Sequence, residues 1–162
     1  MELLKKLCEI HAPSGEERPL RDFLISYFQE NSHLFQNKPE LIYGEEFQDC
    51  LLVRFGDPRT VIFAHMDSIG FTVRYDNQLV PIGGPVAEEG FRLVGMDALG
   101  PVECKLQVTD KGHLFYEFGR GIQRGTSLTF ACDFREDEQY VQSCYLDNRL
   151  GVYNALKVAE TL

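Results

Sequence analysis

The spacing of apolar positions changes twice along the chain. Leu3, Leu4, Leu7, Cys8 and Ile10 recur at helical intervals and predict a first helix. Pro13-Ser14-Gly15 interrupts it. Ser14 and Glu17 have the spacing of a capping box, and Pro19 is tolerated only in the first turn of a helix. Leu20, Phe23, Leu24, Tyr27 and Phe28 then form one apolar stripe, predicting a second helix that fades near Asn37-Lys38-Pro39. Strand character begins at residues 51–55, followed by a turn at Gly56-Asp57-Pro58-Arg59. Residues 61–64, Val-Ile-Phe-Ala, are apolar without a break. Such a run predicts a central strand covered by helices on both faces, and hence an α/β layer architecture.

From residue 72 to residue 143 no helical period is found. Gly83-Gly84-Pro85, Gly95, Gly100-Pro101, Gly112, Gly119 and Gly121 punctuate short runs such as 102–108, 113–118 and 127–130, which predicts a small all-β, barrel-like unit. Helical spacing returns after Asp147, with Val152, Tyr153, Leu156, Ala159 and Leu162 on one side. The simplest organisation is an incomplete α/β domain made of residues 1–71 and 144–162, carrying a β-rich insert at 72–143. The last pattern runs to Leu162 with no glycine cap and no polar tail, which reads as a chain cut in mid-domain.

Composition narrows the function classes. With 162 residues and 44% hydrophobic content, the chain has enough apolar mass for a packed core. Its formal net charge of −9 disfavours nucleic acid and anionic membrane surfaces as partners. No stretch is apolar for long enough to span a bilayer, and the amphipathic start lacks the apolar run of a signal peptide. The five cysteines are odd in number and include no Cys-x-x-Cys pair, which argues against a disulfide framework or a zinc knuckle. A cytoplasmic location is expected.

Two short segments carry candidate chemistry. Ala64-His65-Met66-Asp67-Ser68 follows directly on the apolar run, where ligands of open α/β sheets gather. In extended chain His65 and Asp67 project to the same side and Met66 to the other. A carboxylate beside an imidazole suits a metal site, because it orients the ring whose other nitrogen binds the cation. A plain His–Asp hydrogen bond at a strand end fits the same spacing. In Tyr145-Leu146-Asp147-Asn148-Arg149-Leu150-Gly151, Asp147 stands where a helix N-cap is expected, which would leave Arg149 exposed in the first turn. Neither a phosphate loop nor a Gly-x-Ser-x-Gly elbow is present.

Four stretches, in order, carry a resemblance: LLKKLCEIHAPSGEE (3–17), AHMDSIGF (64–71), RGIQRGTSL (120–128) and LDNRLG (146–151). The chain resembles the first half of the glutamyl aminopeptidase family, dinuclear-metal peptidases that form tetrahedral assemblies and are sometimes labelled cellulases. The resemblance implies that His65 and Asp147 are metal ligands, Asp147 bridging two cations. It implies that Asp67 orients His65 and supports the catalytic base, and that the β-rich insert helps subunits associate. It further implies two divalent ions, zinc or cobalt, peptide substrates and a homo-oligomer. Ser68 stands where the family usually has an acidic residue, and Asp49-Cys50-Leu51-Leu52 where a Gly-Asn is usual. The family's adjacent glutamates and its late histidine have no counterpart after Asp147. The expectation is therefore a metal-dependent aminopeptidase of which this chain carries part of the site. The alternative is an inactive fragment or shortened paralogue acting as an assembly module.

Overall fold

A computed structural model describes all residues from Met1 to Leu162. The chain divides into two compact units: residues 1–67 with 145–162, and residues 68–144. The division precedes residue 72, because strand β3 (Gly70–Val73) already belongs to the second unit.

The first unit holds helices α1 (Glu2–Glu9), α2 (Arg18–Glu30) and α3 (Leu146–Ala159), with a short antiparallel pair, β1 (Glu40–Ile42) and β2 (Leu52–Arg54). The predicted stripes are its core. Leu7 of α1, Leu20, Leu24 and Phe28 of α2, and Val152, Leu156 and Ala159 of α3 are buried in one cluster. Pro19 lies in the first turn of α2, where its missing N–H costs nothing. Phe28 stacks on Phe35 with ring centres 5.0 Å apart. The Tyr27 hydroxyl donates to Glu160 at 2.7 Å, beside Lys157, and ties α2 to the end of α3.

The expected central strand at 61–64 is not formed. These residues pair with no strand, and Val61, Ile62 and Phe63 are 73%, 60% and 90% exposed. Only Ala64 and Met66 turn inward onto the helical core. A run apolar on both faces is buried only when other elements cover both faces. In this unit, one side of the run meets the core and nothing covers the rest.

The second unit is a near-closed, barrel-like antiparallel sheet in the order β4-β3-β8-β5-β6-β7. Its strands are β3, β4 (Leu79–Ile82), β5 (Arg92–Asp97), β6 (Gly100–Val108), β7 (Leu114–Glu117) and β8 (Ser127–Phe130). Gln78, beside β4, bridges to Phe115 of β7, which brings the two edge strands together. In β6, Val102, Cys104 and Leu106 point inward while Glu103, Lys105 and Gln107 face water, the period-two alternation of a one-sided strand. Phe71, Leu93 and Leu128 complete a fully buried centre. Gly95 is required by proximity: a Cβ there would lie 2.5 Å from the Ser127 carbonyl oxygen of the neighbouring strand. Arg120 caps the unit by donating to both carboxylate oxygens of Asp97, at 2.5 and 2.8 Å, and this pairing holds the Asp97 carboxyl down at about 2.

Candidate functional site

The candidate residues belong to the first unit and arrive from three parts of the chain. His65 and Asp67 lie in the extended segment after the exposed run, with Met66 alternating inward as the sequence predicts. Asp147 lies at the start of α3. The turn at Pro13-Ser14-Gly15-Glu16 lies between α1 and α2.

The start of α3 is not a capped helix terminus. Tyr145 precedes it in the left-handed region (φ 66°), and Asp147 (φ −88°, ψ 102°) and Asn148 (φ −122°, ψ 33°) are non-helical, joined by a cis peptide bond. Asp147 accepts no capping bond, and its carboxylate is 94% exposed. Gly151, one turn later, lies against the Asn148 side chain, which would have to shift to admit a Cβ there. Arg149 is the reverse of an exposed first-turn residue: it is fully buried. Its guanidinium donates to the Ile10 carbonyl at 3.3 Å, and two of its other nitrogens have no hydrogen-bond partner. Burial pushes its pKa down, with the negative charge of Asp67 among the opposing influences.

These elements place the His65 ring between two carboxylates. Nδ1 lies 3.1 Å from Asp67 Oδ1, and Nε2 lies 3.0 Å from Asp147 Oδ1. Asp67 Oδ2 in turn accepts a hydrogen bond of 2.5 Å from the Ser14 hydroxyl. Burial opposes protonation of His65, but the hydrogen bond with Asp147 and the charge of Asp67 outweigh it, so its pKa is raised. The Asp67 pKa is lowered, first by the Ser14 hydrogen bond and then by His65, against the opposing effect of burial.

The donor set fits part of a metal centre. Two ligands at about 2.0–2.1 Å from one tetrahedral cation stand about 3.3 Å apart. His65 Nε2 and Asp147 Oδ1 face each other at 3.0 Å, a hydrogen-bond distance that a small outward shift of the exposed Asp147 carboxylate would open to that separation. Imidazole nitrogen and carboxylate oxygen suit the same cations, and Asp67 on the far ring nitrogen completes the usual support of a ligating histidine. No three or more His, Cys, Asp or Glu side chains are arranged anywhere in the chain to hold one metal ion, so the pair supplies fewer donors than a catalytic cation requires.

Neither a family model nor a curated protein matches the chain. Solved structures do. PhTET1-12s, a dodecamer, superposes with a TM-score of 0.78 at 21% identity, over 99% of this chain and 55% of that one. The TET1 peptidase of Pyrococcus horikoshii, which can assemble into a tetrahedron or a large octahedral shell, gives 0.75 at 20% identity, over 99% and 56%. An endoglucanase of Thermotoga maritima gives 0.74 at 20% identity, over 98% and 54%. The chain has the fold of part of a TET peptidase. It spans about half the length of the structures it matches.

Within that fold, the residues singled out by sequence come together: His65 contacts both Asp67 and Asp147. His11 faces Glu16 at 3.9 Å, and its pKa is lowered by burial. Cys144 has its thiol pushed up, chiefly by burial, which leaves it a poor nucleophile. Sequence reasoning missed Ser14 as part of the site. Its spacing to Glu17 read as a capping box, yet α2 has no side-chain cap, and the Glu17 carboxylate instead accepts from the Gly15 N–H at 2.8 Å. The available signal was the Pro-Ser-Gly turn itself, which presents a small hydroxyl outward from a fixed corner.

Proposed function

We propose that this chain carries part of the active site of a metal-dependent aminopeptidase, with His65 and Asp147 as cation ligands and Asp67 as the group that orients His65. The observation that carries this reading is the imidazole held between two carboxylates, on a fold shared with TET peptidases. With Asp67 accepting the Nδ1 proton of His65, the Nε2 lone pair would be available to a cation shared with Asp147. Asp147 presents a solvent-exposed carboxylate with one oxygen beside His65 and a second free to bridge a neighbouring cation. When bound, a pair of divalent cations, zinc or cobalt, supplies Lewis acidity at a scissile carbonyl and a partner for the free amino end of a peptide.

With two ligands in place, these 162 residues alone are expected to turn over no peptide. The test is hydrolysis of peptides with free and with blocked amino ends by the protein as its gene encodes it, with zinc or cobalt supplied. The reading expects cleavage of free-ended peptides only, abolished by Asp147→Ala. Cleavage confined to blocked peptides, or none by a metal-supplied protein that extends beyond these 162 residues, would contradict it. A glycosidase reading is not favoured, because the site offers an imidazole between carboxylates rather than a carboxyl pair flanking a sugar. Homo-oligomer formation is a further proposal, supported by the assemblies of the matched TET structures.

A further inference from the structure

The turn between α1 and α2 is built to hold one side chain in place. The Glu16 N–H donates to the Pro13 carbonyl at 2.8 Å, and Gly15 at the third position has φ +92°, a value that favours glycine. No atom lies near the position of a Gly15 Cβ, so conformation rather than space selects glycine there. Before the turn, Ala12 and Pro13 are buried. Two residues further back, the Ile10 carbonyl accepts from the buried guanidinium of Arg149, which stands two residues after Asp147. The turn is thus anchored in the core on its N-terminal side and tied to the start of α3. The one polar side chain it directs at the site is Ser14, whose hydroxyl donates to Asp67 Oδ2 at 2.5 Å.

Asp67 is more than a third exposed, and its carboxylate is attached by rotatable bonds. One hydrogen bond to His65 leaves it free to swing. A second, to the opposite oxygen, removes that freedom. We propose that Ser14 is a positioning residue: by gripping Asp67 Oδ2 it fixes Oδ1 on Nδ1 of His65, and so aims Nε2 at Asp147. Its catalytic meaning rests on the aminopeptidase reading, while the geometry it claims belongs to the metal-free chain and is tested there.

The experiment is the long-range proton–nitrogen spectrum of the His65 ring in the metal-free chain, at a pH where the ring is neutral. In the wild type each ring nitrogen faces a carboxylate, Asp67 at Nδ1 and Asp147 at Nε2, and the held Asp67 should weight the ratio toward Nδ1–H. Ser14→Ala should lower the ratio of Nδ1–H to Nε2–H several-fold. Ser14→Thr, which restores a hydroxyl, should return it to the wild-type value. Methyl shifts of Leu7, Leu20 and Val152 report whether the core is intact, and the exposed position of Ser14 favours folding of all three proteins. The same tautomer ratio in Ser14→Ala and wild type would overturn the proposal, as would a loss in Ser14→Ala that Ser14→Thr does not restore. Neither result bears on whether His65 and Asp147 bind metal.

Discussion

The two units of the chain solve the problem of apolar surface differently. In the β unit, β3, β8, β5 and β6 each have a hydrogen-bonded neighbour on both sides, and the outer strands β4 and β7 meet through Gln78 and Phe115. Along β6 buried residues alternate with exposed ones, and the partners of all six strands lie within 77 residues. The helical unit buries the facing stripes of three helices but leaves Val61, Ile62 and Phe63 in water, just before the residues that carry the candidate chemistry. The difference separates two kinds of sequence signal. Alternation names both the buried and the wet face of a strand. An unbroken apolar run states only that something must cover it.

The comparison breaks most severely if the β core is opened. Leu128→Ala removes a fully buried side chain shared by β3, β5 and β8 and should cost about 2–5 kcal/mol. Denaturant unfolding should show that loss in the β unit while the ring signals of His65 stay in place. Gly95→Ala is next: its Cβ meets the Ser127 carbonyl oxygen as well as the Leu128 side chain, and a cost of about 1–3 kcal/mol is expected in the same assay.

In the helical unit the expected effects are smaller. The His65 pKa is raised in the folded chain. The stabilisation it contributes is therefore fully present below the unfolded value of about 6.5 and is lost as pH rises through the folded value. The His65 ring is half exposed and the Asp147 carboxylate almost wholly so, which leaves about 0.2–1 kcal/mol at stake. Denaturation midpoints measured from pH 5 to 9 should show this loss in the wild type, and His65→Asn should remove it. Phe63→Ser should change stability least, within about 0.5 kcal/mol, because the side chain is 90% exposed. A cost of about 3–5 kcal/mol would instead place Phe63 in a core. The same substitution should reduce self-association, since exposed apolar runs are sticky.

Much of the fold was legible where neighbours in sequence are also neighbours in space. The stripe from Leu20 to Phe28, the alternation through Val102, Cys104 and Leu106, and the opposed directions of His65 and Met66 all follow from local periods. The fate of residues 61–64 was not legible, because burial of such a run depends on partners that its own sequence does not name. At the site, the pairing of His65 with Asp67 could be read from spacing, and the approach of Asp147 from 82 residues away could be reached only through the family resemblance. Ser14, Asp147 and Arg149 mislead for a common reason. Spacing near a helix start suggests caps and exposed charges, whereas here the backbone leaves the helical path at Asp147 and Asn148 and turns Arg149 into the core.

The most direct test of the account is a zinc titration of the 162-residue chain by calorimetry, in parallel with His65→Ala and Asp147→Ala. The account predicts saturable binding of one cation per chain, weakened about tenfold or more by either substitution, a loss of at least about 1.4 kcal/mol. Binding that survives both substitutions unchanged would contradict the assignment of these two residues to a metal centre.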